Sequence, residues 1–267
     1  MIDISNGTQI AYGDDVLQKI KVFNFSPHNS HTIVLIHGGA WRDPNNTFLD
    51  FEDLVGYLLK EHNLIGVNYR LSPDNKHPCH IEDVVAGVGK IQTLVAPGTD
   101  YSFVGHSVGA TLLLQLLNYH EIIDLGNRDF TVSKSLPKLD LKIRYIYFVD
   151  GIYDIQDLIA EYGAPYKLFV DCAFESEKQY LEATQMTWSL SKEFLWEFKA
   201  VVIQSEDDEL LSQRQSDSFV GFLKKRQCTV EYLQGNWGKH EEVYRHPYLA
   251  EIIETRSQKL LRSEVAE

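Results

Sequence analysis

The 267-residue sequence predicts an α/β fold organised on a mostly parallel, doubly wound sheet with helices on both faces. Short β-branched runs alternate with longer stretches of helical periodicity almost to the end, which is the rhythm of βαβ units. Two of the runs end in glycine-containing turns, "IHGGAW" at 36–41 and "VGHSVGA" at 104–110. The composition is globular, with 44% hydrophobic and 24% charged residues. A chain of this length can bury most of its apolar surface without disulfides or metals, so residues 1–267 are expected to form one domain.

The elements follow in order. Residues 19–25 suggest one or two short strands. Runs at 32–36 (TIVLI), 64–69 (LIGVNY), 101–105 (YSFVG), 143–149 (IRYIYFV), 200–204 (AVVIQ) and 229–233 (TVEYL) are short and mostly β-branched or aromatic, as strands require. Between them, 48–61, 81–95, 108–119, 212–225 and 241–261 carry apolar residues on one helical face and polar residues on the other. Two stretches break the rhythm. Residues 121–140 read as a surface loop. Residues 163–198 are too long for a plain connection and hold Tyr166, Phe169, Phe174, Tyr180, Trp188, Phe194 and Trp196, so they predict a helical cap insertion over one end of the sheet. Core packing without contact to substrate is its alternative.

A net charge of −13 argues against nucleic acid and anionic membranes as partners. Cys79, Cys172 and Cys228 are odd in number and widely spaced, which disfavours a zinc cluster or a disulfide framework and suits a reducing compartment. The first residues lack a basic region followed by an apolar run, and no apolar stretch approaches a bilayer span. A soluble, cytoplasmic protein is expected.

"FVGHSVGA" places Gly105, Ser107 and Gly109 in a G-x-S-x-G pattern between a predicted strand and a predicted helix. Such a tight turn pushes the serine hydroxyl out at the carboxyl end of the sheet, with glycines where side chains would strike backbone. Ser107 is therefore the candidate nucleophile. A hydroxyl needs a base within reach and a group that orients the base, and in this arrangement the chain order is serine, acid, histidine. Of the histidines after Ser107, His120 falls at the far end of the predicted helix, and His246 lies inside the last helix next to Pro247. His240, in the "GNWGKHEEVY" loop, is left as the base. The acid belongs after the penultimate strand, where "EDDE" offers Glu206, Asp207, Asp208 and Glu209; Asp208 is the choice and Asp207 the fallback. Attack on a carbonyl creates an oxyanion, for which the amide of Val108 and those of the "HGGAW" loop, Gly38 and Gly39, are the candidate donors. His37 would shape that loop, and Trp41 would anchor it and offer substrate a flat wall.

These residues resemble those of the α/β-hydrolases. The H-G-G-x-W loop and "YRLSPDNKHP" (69–78) look like the branch that holds hormone-sensitive-lipase-type esterases and kynurenine formamidases. The closer similarity is to the fungal kynurenine formamidase family, through "HGGAWRDPNNT", "YRLSP", "VGHSVGAT", "DGIYD", "DELL" and "HEEVY", in order along the chain. Esterases of the branch usually carry an N-terminal cap and a "GDSAG" elbow, whereas this sequence enters the sheet almost at once and has "GHSVG". The resemblance implies hydrolysis of N-formyl-L-kynurenine, a small-molecule substrate, to L-kynurenine and formate on the route from tryptophan towards nicotinamide nucleotides. No metal or organic cofactor is expected, and a homodimer stays open. The alternatives are a short-chain carboxylesterase of the same branch and a non-catalytic hydrolase-fold binding protein.

Overall fold

The structure is a computed structural model that describes residues 5–58, 60–127, 136–184 and 198–264. Eight strands form one sheet: β1 (Gln9–Ala11), β2 (Lys19–Asn24), β3 (His31–Ile36), β4 (His62–Val67), β5 (Asp100–His106), β6 (Lys142–Val149), β7 (Lys199–Ser205) and β8 (Val230–Gly235), in the spatial order β1-β2-β4-β3-β5-β6-β7-β8. The first two strands pair antiparallel, β2 meets β4 antiparallel, and every later pairing is parallel. The helices are α1 (Glu52–Tyr57), α2 (Cys79–Gln92), α3 (Val108–Leu116), α4 (Tyr119–Gly126), α5 (Ile155–Tyr162), α6 (Ala164–Ala173), α7 (Glu177–Thr184), α8 (Gln213–Lys225) and α9 (Pro247–Glu264).

Both faces of the sheet are covered, which is why its central strands read as continuous apolar runs. Val34, Ile36, Ile65, Val67, Ala200 and Val202 pack on one face with α2, α3 and α8. Ile33, Leu35, Leu64, Val201 and Ile203 pack on the other with α1 and α9. A third apolar cluster joins Ile155, Leu158, Val170, Phe174 and Tyr180 of the 155–184 helices to Trp41, Val108, Ile152 and Leu211, which follow the carboxyl ends of β3, β5, β6 and β7. The three helices thus cover the end of the sheet where the strands deliver their loops. Trp188, Phe194 and Trp196 of the predicted cap lie outside the described residues.

Four sequence expectations are corrected at element ends. The 48–61 helix starts as a 3₁₀ turn, Phe48–Phe51, capped by Thr47 with Asp50 closing the capping box, and α1 ends at Tyr57. The 108–119 helix stops at Leu116, because Asn118 leaves helical geometry at φ −142° and ψ 39°. Part of the 121–140 loop is helical: α4 buries Tyr119, Ile122 and Ile123. The 241–261 helix is broken at His246, after the 3₁₀ turn Val243–Arg245, and Pro247 opens α9, where its missing N–H costs nothing.

Candidate active site

Ser107 stands between β5 and α3 at φ 54° and ψ −122°, a conformation that L residues rarely adopt. Its glycine neighbours are required sterically. A Cβ on Gly105 would lie 2.6 Å from the Gly109 carbonyl oxygen, and one on Gly109 would lie 2.2 Å from the Ile36 oxygen and 2.7 Å from that of His37. Helix α3 therefore begins hard against the end of β3, which brings Ser107 beside the loop that β3 delivers.

The base and acid arrive on the loops after β8 and β7. His240 Nδ1 donates to Asp208 Oδ2 at 2.9 Å, and both side chains are buried. Asp208 Oδ1 accepts the amides of Leu210 (2.8 Å) and Leu211 (2.9 Å), which fixes the carboxylate. Asp207 is exposed, so Asp208 is the aspartate joined to His240. The backbone of His240 is held at both ends: its N–H donates to Glu209 Oε2 at 3.0 Å, and its carbonyl accepts from His106 Nε2 at 2.9 Å. Burial pushes the His240 pKa down, but the hydrogen bond and charge of Asp208 outweigh it, and the net shift is upward. Ser107 and His240 line the same cleft without a mutual hydrogen bond among the described residues; in unliganded sites that bond is commonly long.

A second carboxyl sits behind this pair. Asp150, which follows β6 at φ 40°, is fully buried and accepts Ser205 N–H through Oδ1 at 2.8 Å. Ligating atoms of Asp150, Asp208 and His240 lie within 4.8 Å of one another. That spacing suits a cation, but the Asp208 and His240 atoms are already hydrogen-bonded together. Burial, followed by the charge of Asp208, raises the Asp150 pKa well above the usual carboxyl range.

The glycine loop crosses over the serine. A Cβ on Gly38 would sit 2.9 Å from His106 Nδ1 and 3.0 Å from Ser107 Cβ; Gly39 has φ 91° and lies against Asn46. Ala40 (φ 48°) and Trp41 (φ 60°) continue in the left-handed region, which is strain concentrated beside a reactive side chain. His37 bonds through Nδ1 to the Gly38 carbonyl (3.0 Å) and stacks on Tyr69 (4.4 Å between centroids), whose hydroxyl donates to the same carbonyl at 2.8 Å. Burial, only partly offset by the bond to Gly38, holds the His37 pKa down at about 4, so the ring is neutral. With the carbonyl tied back, the amides of Gly38, Gly39 and Val108 have no acceptor among the described residues. A serine whose proton can pass to a carboxylate-held histidine, facing uncommitted amides, can attack a carbonyl and stabilise the oxyanion that forms.

The cleft above Ser107 measures about 330 Å³. Ile152, Pro165, Tyr166, Phe169, Leu210 and Leu211 supply its apolar lining, and Arg42, Asp43, Asn46 and Glu241 the polar lining. Trp41 does not line it. The indole is 1% exposed and packs edge-on against Phe174 (5.2 Å), so it anchors the cap helices, and the aromatic wall falls to Tyr166 and Phe169.

A family model described as BD-FAE matches residues 24–223. The kynurenine formamidase of Debaryomyces hansenii is 41% identical, with 91% of this chain and 97% of that protein covered, and the one from Scheffersomyces stipitis is 41% identical over the same shares. The chain belongs to the kynurenine formamidase family. The Saccharomyces cerevisiae kynurenine formamidase, 28% identical, is covered over 98% of its length. Among solved structures, esterase B from Lactobacillus rhamnosis superimposes with a TM-score of 0.66 at 18% identity, covering 97% of this chain and 84% of that one. That likeness shows the α/β-hydrolase fold.

The sequence-predicted Ser107, Asp208, His240, Gly38, Gly39, Val108 and His37 of this formamidase relative converge on one site. Sequence reasoning missed Asp150, Tyr69 and His106, and offered Glu209 only as one of the four acids after β7. Asp150 and Tyr69 did carry a signal, since they open "DGIYD" and "YRLSP". Nothing in the residue pattern marked His106 or Glu209 as the two ends of the His240 tether.

Proposed function

We propose that the protein is a serine hydrolase that cleaves N-formyl-L-kynurenine to L-kynurenine and formate. The observation that carries the reading is the Asp208–His240 pair beside Ser107, under a glycine loop with uncommitted amides, in a member of the kynurenine formamidase family. Ser107 Oγ attacks the formyl carbon while its proton passes to His240 Nε2. The carbonyl oxygen becomes an oxyanion held by the amides of Gly38, Gly39 and Val108. His240 then gives the proton to the arylamine nitrogen as the C–N bond breaks, and kynurenine leaves. Water attacks the formyl ester of Ser107 with His240 again as base; the ester bond breaks, Ser107 regains its proton, and formate departs. Asp208 keeps the proton-bearing Nδ1 turned to itself throughout, leaving Nε2 free for Ser107.

Residues 1–267 act as one domain in this reading, with the 155–184 helices as the cap over the cleft. No described helix is long and apolar enough to cross a membrane, and no disulfide joins the three cysteines. The free cysteines fit the reducing cytoplasm, where this reading places the protein. Ser107→Ala tests the mechanism: kcat on N-formyl-L-kynurenine falls by roughly 10⁴-fold or more while the melting temperature is preserved, because triad members act as a unit. Near-normal turnover by that variant would exclude a serine enzyme.

A further inference from the structure

The cleft is lined by both apolar and charged side chains, and its arginine is not committed as four others on this protein are. Arg70, Arg144, Arg214 and Arg256 are each paired with a carboxylate, on Asp83, Asp100, Asp157 and Glu231. Arg42 lines the cleft and has no carboxylate partner among the described residues; the one recorded polar contact of its guanidinium is a 4.0 Å approach to Cys172 Sγ. On a chain of net charge −13, a guanidinium left without an acid beside a reactive serine is available to an anionic group from outside. Glu241 lines the same cleft, and its carboxylate is held in place: Oε2 accepts from Asn46 Nδ2 at 3.2 Å and from the Tyr244 hydroxyl at 2.9 Å. Tyr166 and Phe169, with ring centroids 5.4 Å apart, line the same cleft.

We propose that Arg42 and Glu241 form an amino-acid clamp: Arg42 binds the substrate's α-carboxylate and Glu241 its α-ammonium, while the arene lies against Tyr166 and Phe169. The inference rests on the formamidase reading above and adds the residues that select an amino-acid head group. A zwitterion suits this rim because each of its charges meets the opposite sign there. An anion without the ammonium would meet Asp43 and Glu241 uncompensated. The formyl group, the smallest acyl group, needs only the space between Ser107 and the glycine loop.

The test compares N-formyl-L-kynurenine with 2-formamidoacetophenone, which carries the same formyl arylamide and ortho ketone without the amino-acid head. Wild-type kcat/KM should favour the amino acid by 10²-fold or more. Arg42→Ala and Glu241→Gln should each shrink that ratio by about 10- to 100-fold, the worth of one charged hydrogen bond, mostly through KM for the amino acid. Arg42→Lys should restore part of it. Arg42 is exposed, so its variants should fold, which their melting temperatures check. A ratio unmoved by both substitutions, or equal losses on both substrates, would overturn the clamp. Comparable wild-type rates on the two formamides would overturn it while leaving the formamidase reading intact. Turnover of p-nitrophenyl acetate with neither formamide hydrolysed would remove both.

Discussion

Asp208→Asn isolates the part of the mechanism that depends on one proton. Asp208 Oδ1 is fixed by the Leu210 and Leu211 amides at 2.8 and 2.9 Å, so the oxygen of an asparagine would stay there and its NH₂ would take the Oδ2 position, 2.9 Å from His240 Nδ1. Two donors would then face each other unless the imidazole changed tautomer. The ring would move its proton to Nε2, where it can no longer accept one from Ser107. Holding a triad histidine in the wrong tautomer costs about 10⁴-fold in kcat, or about 5.4 kcal/mol of transition-state stabilisation. The substitution is isosteric, so folding should survive it. The acid limb of kcat/KM should move as well. Burial alone lowers the His240 pKa, and the Asp208 hydrogen bond and charge reverse that shift, so wild-type activity should fall below a pKa above the ordinary 6.5. Without the carboxylate charge, the limb moves to lower pH. The assay is kcat/KM for N-formyl-L-kynurenine from pH 5 to 9 for both proteins. A variant within tenfold of wild type, with an unshifted acid limb, would show that Asp208 does not set the tautomer of His240.

Other expectations follow from the same geometry. Gly109→Ala puts a methyl 2.2 Å from the Ile36 carbonyl oxygen and 2.7 Å from that of His37. Overpacking on this scale costs about 1–3 kcal/mol, and the displaced loop is the one carrying Gly38 and Gly39, so thermal melting should fall by roughly 5 °C and kcat with it. The raised pKa of buried Asp150 means that the folded protein holds this proton more tightly than the unfolded chain, so the group lowers stability increasingly as pH rises above about 4. Asp150→Asn should therefore raise the melting temperature at pH 8 more than at pH 5, with activity largely retained; destabilisation at both pH values would contradict this. His31, His77 and His80 are held down to about 3, and His37 to about 4, by burial first. Below pH 6.5 the unfolded chain takes up these protons and the folded one does not, so each histidine removes about 1.4 kcal/mol per pH unit. Urea midpoints measured at pH 7.5, 6.5 and 5.5 should fall steeply over the last step.

The sheet was legible because both its faces are covered, so each strand is a short apolar run. Element ends were less so: Asn118 stops α3 and Pro247 restarts α9 through backbone geometry that a hydrophobic pattern does not carry. In the site, Ser107, Gly105 and Gly109 show in the sequence because steric demands on the elbow are local and leave a fixed spacing. Asp208 was harder to separate from Asp207, since both follow β7 and only three-dimensional reach to His240 distinguishes them. Trp41 was misread as a substrate wall because an aromatic beside a glycine loop looks the same in sequence whether it turns towards the cleft or under the cap. The polar rim was invisible for a similar reason: Arg42, Asn46 and Glu241 come from opposite ends of the chain and meet only when β3 and β8 deliver their loops to the same end of the sheet.

Whether Ser107 serves a formamidase is decided by steady-state kcat/KM on N-formyl-L-kynurenine beside p-nitrophenyl acetate, with Ser107→Ala as the blank. A serine formamidase should favour the formylated amino acid by orders of magnitude and lose both activities in the blank. Turnover of the activated ester alone would leave Ser107 a working nucleophile and contradict the assignment of its substrate.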